Sequence, residues 1–121
     1  MYTAFGGRDE TALRRLLAPD VEWIQCAGFP GGAHRRGVES VLEGVLHGNN
    51  ARWQDFRVEH DEFVVAGATV VVIGSYSGTH AETRKTMRAV FTHVYEVEDG
   101  QVRRFRQFCD TWPMVQAMSP A

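Results

Sequence analysis

Asp110, His93 and Arg106 are the residues of this chain whose types and spacing could do chemistry together. A carboxylate can act as a general base, an imidazole can orient or pass a proton, and a guanidinium can hold a developing oxyanion. The Asp99-Gly100 pair brings them into relation, because it favours a two-residue type I′ hairpin loop. With that loop, Glu98 faces Gln101 and Val97 faces Val102. Continued without interruption, the ribbon sets Tyr95 opposite Arg104, His93 opposite Arg106, Phe91 opposite Phe108 and Ala89 opposite Asp110. The polar trio then shares one face with the rings of Phe91 and Phe108. An apolar wall with a few convergent polar groups is what a small-molecule site looks like. Desolvation by the two rings would raise the pKa of Asp110, as a base needs, whereas Arg106 or a protonated His93 would lower it. Trp23 and Trp53 are the further candidates for ligand contact.

Each of these residues also has a plainer reading. Asp110 precedes a terminal helical stretch and could simply cap it. His93 and Arg106 could be an ordinary cross-strand pair on a solvent or dimer face. Trp23 and Trp53 could be core residues. His34 and His80 lie in loops, and no spacing makes them metal ligands. Cys26 and Cys109 are isolated, so no structural zinc, no other metal and no cofactor is expected, and both thiols are expected to stay reduced.

The elements that must position these residues follow from the change of hydrophobic period. Asp9 can cap a helix over 9–17, with Ala12, Leu13, Leu16 and Leu17 on one face and Pro19 beyond its end. Val38, Val41, Leu42, Val45 and Leu46 fit the i, i+3, i+4, i+7, i+8 pattern of a helix over 38–47, bracketed by Gly37 and Gly48. A Gly/Pro-rich loop, 27–37, lies between a short strand at 21–26 and that helix. After Asn50 the period becomes two, with strands expected at 54–66, 69–79, 86–98 and 101–110, then a terminal helix at 111–118. The apolar parity flips near Asp61, which predicts a bulge there. Helices followed by a meander of long, bent strands imply an α+β fold. The expected architecture is a cone: a curved antiparallel β-sheet with helices packed on its concave face, enclosing a pocket.

The 121 residues make one domain, 1–121, and the 44% apolar share is that of a folded chain. A net charge of -2 with dispersed basic residues argues against nucleic acid as a partner. No run is apolar enough for a membrane span, and Met1–Phe5 lacks the apolar segment of a signal peptide, so a cytoplasmic protein with no membrane partner is expected. Apolar content on both ribbon faces exceeds what one helical layer covers, which predicts a homodimer through the open sheet face.

LAPDVEW at 17–23, FPGGAHRRGVESVL at 29–42, WQDFRVEHDEFVVAG at 53–67 and HVYEVEDGQVRRFRQFCDT at 93–111 resemble the SnoaL-like proteins of the nuclear transport factor 2-like, ketosteroid isomerase-like superfamily. The resemblance spans nearly the whole chain and implies the cone fold. Its relatives include ketosteroid isomerases, polyketide cyclases, limonene epoxide hydrolases and proteins without known activity. It implies that Asp110 occupies the place of a pocket carboxylate ending the last strand. The hydrolase's earlier Arg and Asp would fall near Ser75–Thr79, which holds neither; the isomerase base would fall near Trp23-Ile24, which are not acids. The isomerase tyrosine would fall near Tyr2, out of register. The family's first helix begins before the position of Met1, which implies a shortened start or a partly open cone. The expected function is a small-molecule-binding domain for an apolar metabolite: an isomerase, cyclase or hydrolase with Asp110 as general base, or a non-catalytic binding or dimerisation protein.

Overall fold

The computed structural model describes residues 9–120; Tyr2 and the rest of 1–8 lie outside the described residues. Asp9 caps the first described helix, α1 (Glu10–Leu16), its carboxylate accepting from the Ala12 amide at 3.0 Å. Leu17 turns the chain to an extended conformation two residues before Pro19. β1 (Leu17–Ile24) therefore starts at once, four residues earlier than the apolar pattern indicates. A three-residue edge strand, β2 (His34–Arg36), lies inside the expected loop and pairs antiparallel with β1. Its three basic side chains carry no strand signature, which is why composition hides it.

The main helix runs as α2 (Val38–Val41), a π-helical stretch (Leu42–His47) and α3 (Gly48–Arg52). Gly48 continues this helix instead of ending it. The expected stripe is buried: Val41, Leu42, Val45 and Leu46 all face inward. Leu42 and Leu46 clamp Leu13 of α1, forming a satellite cluster. Then come β3 (Trp53–Ala66), β4 (Thr69–His80), β5 (Thr86–Glu98), β6 (Gln101–Cys109) and α4 (Trp112–Met118). The bulge expected near Asp61 is present, as a register shift between His60 and Glu62. A second shift, between Gln54 and Arg57, accompanies Asp55 at φ 53°.

The sheet has six strands in the order β2-β1-β6-β5-β4-β3. It is mixed: β1 runs parallel to β6, whereas every other pair is antiparallel. Val21, Trp23, Val72, Tyr76, Phe91, Tyr95 and Phe105 from the strands join Val41, Val45, Met114 and Ala117 from the helices in one buried core. That identifies the helix-covered face as the concave one. Each large apolar side chain buried there contributes roughly 1.5–3 kcal/mol.

The β5–β6 hairpin forms as expected at its tip and departs from expectation directly after it. Asp99 and Gly100 both take positive φ, 52° and 76°, and Glu98 pairs with Gln101. Val97 pairs with Val102, but Glu96 pairs with Arg104, so Arg103 is an unpaired bulge residue. Every partner beyond it is offset by one: His93 faces Gln107, Val94 faces Arg106 and Thr92 faces Phe108. Because side chains alternate with period two, this single insertion moves the second half of β6 to the opposite face. Arg106, Phe108 and Asp110 consequently do not share the face of His93.

Deleting Arg103 and Arg104 together removes the bulge residue and one paired residue, so Phe105 and Gln107 turn outward and Arg106 and Phe108 turn inward. The deletion variant is expected to lose cooperative thermal unfolding in circular dichroism, whereas Arg103→Ala, which keeps the bulge and removes only a surface ion pair with Glu98, retains it. Cooperative melting of the deletion variant at the wild-type temperature would refute the role given to the bulge.

Candidate functional site

The concave face holds a chain of hydrogen-bonded polar side chains walled by aromatic rings. Tyr76 stands in β4 between Gly74 and Gly78, which share its face and leave it unobstructed. A side chain at Gly74 would collide with the Glu59 backbone and the Phe91 ring, so the close approach of β3 and Phe91 requires glycine there. Gln107 Nε2 donates to the Tyr76 hydroxyl at 2.8 Å. The Tyr76 hydroxyl is in turn hydrogen-bonded to Nε2 of His93. At the other end, Gln107 Oε1 accepts from the Cys26 amide at 3.3 Å and the Cys26 thiol at 3.4 Å.

Burial fixes the protonation of this chain. His93 is 3% exposed, stacked on Phe91 at 3.8 Å and edge-on to Phe105 at 4.8 Å. Desolvation favours the neutral imidazole and pushes its pKa down from 6.5 to about 3. A neutral imidazole carries one N–H and one bare nitrogen, so its bond to the Tyr76 hydroxyl pairs one donor with one acceptor. Burial likewise pushes the Cys109 thiol up to about 12, so it stays protonated. Around the chain stand Phe29, 5.4 Å from Tyr76, Phe56 at 5.5 Å, and Trp23 stacked on Phe105 at 3.9 Å.

Two further buried polar atoms have no hydrogen-bond partner: Gln25 Oε1, just past the end of β1, and Trp53 Nε1 at the start of β3. Gln25 is 8% exposed and Trp53 2%. An unsatisfied buried acceptor or donor costs about 1–3 kcal/mol. Such groups persist where something other than packing favours them.

Of the residues singled out from sequence, the structure brings His93, Phe91, Trp23 and Trp53 to the interior. It does not bring Arg106, Phe108 or Asp110 there. Arg106 lies opposite Val94 on the outer face, and Phe108 is 54% exposed. Asp110 is exposed; its amide donates to Val90 O, and its carboxylate accepts from the Trp112 amide at 3.3 Å, at the entry to α4. The N-cap of α4 is Thr111, with no side-chain cap, so Asp110 bonds two residues ahead from one position outside the helix. Tyr76, Gln107, Gln25 and Cys26 are interior residues that the sequence reading passed over. The GSYSG stretch carried a signal for Tyr76, since two glycines at i±2 clear one face of a strand around one large residue. Gln107 had no signal without knowledge of the bulge.

Among the described residues, no three His, Cys, Asp or Glu side chains converge as metal ligands, and no helix is long and apolar enough to cross a membrane. A single protonation difference has a measurable consequence. His93 is neutral in the folded state and protonated in the unfolded chain between about 6.5 and about 3, so the unfolded state binds the extra proton. Its contribution to stability is complete above that window and is lost as pH falls through it, by about 1.4 kcal/mol per pH unit. Denaturant melts from pH 7 to pH 4 should show a shallower dependence for His93→Gln by the equivalent of one proton; equal slopes would refute the buried neutral imidazole.

The SnoaL-like domain family model matches residues 1–105. Among solved structures, an NTF2-like protein from Burkholderia thailandensis E264 is 34% identical, with a TM-score of 0.92 over 98% of this chain and 92% of that one. IdmH, a polyketide cyclase candidate from Streptomyces antibioticus, is 25% identical, with a TM-score of 0.80 over 97% of this chain and 91% of that one. TerC, co-crystallised with polyporic acid, is 25% identical, with a TM-score of 0.84 over 96% and 90% of the two chains. No curated protein matches the chain in sequence. The curved six-stranded sheet, its helical cover and the family match together establish that the chain belongs to the SnoaL-like family, within the NTF2-like fold.

Proposed function

We propose that this chain binds a small, neutral, largely apolar molecule carrying a hydroxyl or N–H group inside its cone, and does not transfer a proton to or from it. The observation that carries this reading is the Cys26–Gln107–Tyr76–His93 chain set among aromatic rings. Gln25 Oε1 is a buried acceptor without a partner and calls for a ligand donor, while the Trp53 indole N–H calls for a ligand acceptor.

General-base chemistry finds little support in the same interior. A base works best with a pKa near the operating pH, and His93 lies far below it. No Asp or Glu is buried among the described residues, and none occurs in 1–8. Asp110 as general base would require its carboxylate to cross from the outer face to the inner one. The co-crystallisation of TerC with polyporic acid supports small-molecule binding by this fold.

Titration calorimetry with 2-naphthol and with naphthalene tests the proposal. Wild-type protein should prefer the hydroxyl compound by about tenfold, which corresponds to about 1.4 kcal/mol for one buried hydrogen bond. Gln25→Leu should lose that preference without loss of fold, and Asp110→Asn should bind as wild type. Weaker binding in Asp110→Asn, or no preference in wild type, would overturn the reading.

We also propose that the open sheet face is a homodimer interface. Val90 and Phe108 are more than half exposed on neighbouring strands, and Ile73, Val71 and Val94 extend the apolar band. Light scattering should give a dimer mass for wild type and a monomer mass for Val90→Arg/Phe108→Arg; a wild-type monomer at micromolar concentration would count against it.

A further inference from the structure

Two guanidiniums, Arg35 and Arg52, converge on the Gly31-Gly32 turn and on one face of the main helix, without an acidic partner among the described residues. Arg35 Nη2 donates to the Gly31 carbonyl at 2.9 Å. A Cβ placed on Gly44 would lie 2.1 Å from Arg35 Cζ, so that guanidinium rests directly on the helix backbone. A Cβ on Gly48 would lie 3.0 Å from Arg52 Nη1, and one on Gly31 would lie 2.6 Å from the same atom. Positions i and i+4 of a helix are about 5–6 Å apart, so the two cations lie side by side along the Gly44–Gly48 face. Gly31, with φ 74°, closes over them from the loop.

Strand alternation explains why no carboxylate neutralises them. His34 and Arg36 project from β2 towards Glu22, at 2.8 and 3.4 Å, and Arg35 between them projects the other way. The acids of the helices are engaged elsewhere: Glu39 with Arg14, and Glu10 and Glu43 with His47. Among the described residues neither Arg35 nor Arg52 enters an ion pair. Both are half-buried, the Arg52 side chain makes no hydrogen bond among the described residues, and the Nε of Arg35 is buried without a partner.

The geometry points to a binding site for an oxyanion, a carboxylate or a phosphoryl group, bridged between Arg35 and Arg52. A planar guanidinium presents paired N–H donors that match the oxygen spacing of either group, and two such forks one helical turn apart hold a single anion from both sides. The three glycines provide the room. An anion there also relieves the repulsion between two cations that the fold holds together. The site stands apart from the neutral interior and does not depend on the reading proposed for it.

Isothermal titration of the full chain with inorganic phosphate, and separately with acetate, tests the site in low-salt buffer. Wild-type protein should bind one equivalent saturably, and whichever anion binds more tightly identifies the group it is built for. Arg35→Met and Arg52→Met should each weaken binding by about tenfold or more. Gly44→Ala is the sharper variant: it keeps every charge, suits a helix, and displaces the Arg35 guanidinium, so it should weaken binding comparably. Arg88→Met, on an exposed arginine elsewhere, should bind as wild type. Absence of saturable binding of both anions to wild type would overturn the assignment. So would wild-type affinity in Gly44→Ala, or a loss in Arg88→Met equal to that in Arg35→Met.

Discussion

The extra residue at Arg103 decides which half of β6 belongs to the interior. A period-two strand has no tolerance for a shift of one: each side chain beyond the insertion exchanges faces. With the bulge, Phe105 meets Trp23 and His93, and Gln107 reaches Tyr76 and Cys26. The same shift puts the cationic Arg104 and Arg106 outside, where Arg104 meets Glu22 at 3.0 Å and Glu96 at 3.7 Å. Core packing and polar satisfaction therefore agree on one register, and that agreement is stronger evidence for it than either alone. An unbulged ribbon would bring two guanidiniums into a space walled by Phe91, Tyr95 and Trp23, and no carboxylate is buried there to meet them.

Much of this fold was legible in the residues. The stripe Val41, Leu42, Val45, Leu46 announced the main helix, Asp99-Gly100 announced the hairpin, and the parity flip near Asp61 announced a bulge, because each is a local pattern with one physical solution. The site was less legible, because its composition depends on a non-local register. RRFRQF carries polar and apolar residues at both parities, so the alternation itself does not mark where the strand slips. Arg103 becomes a bulge only because Val102 and Phe105 both need the core, and three positions separate them where alternation allows an even number. The strand β2 was hidden for a related reason. It is held by Glu22, whose carboxyl lies below its usual range mainly through its hydrogen bond with His34, and an ion-pair hub between β1 and an all-basic segment leaves no hydrophobic signature.

The interior is unusual in being polar yet uncharged. Tyr76, Gln107 and His93 satisfy one another, which removes most of the penalty for burying them, and burial then holds His93 neutral. A hydrogen-bonded chain of this kind resists rearrangement, since releasing any member strands its neighbour without a partner. It therefore fixes the rotamers of the ring-bearing side chains that touch it. The rigid wall so formed leaves Gln25 Oε1 and Trp53 Nε1 as the groups free to make new bonds.

Charge is distributed in a complementary way. The ionised residues lie outside the cone, in pairs on the outer face or, at Arg35 and Arg52, against the helix that covers it. A low-dielectric interior amplifies any field inside it, so keeping ions out leaves recognition to shape and to directed hydrogen bonds. The loop 27–33 joins the two regions mechanically: Phe29 packs on Tyr76 at one end, and Gly31 lies against both arginines two residues later. The Gly32 amide donates to the Phe29 carbonyl at 2.6 Å, which closes a tight turn. Gly31 and Phe29 thus belong to one hydrogen-bonded turn that touches the arginines on one side and the aromatic wall on the other.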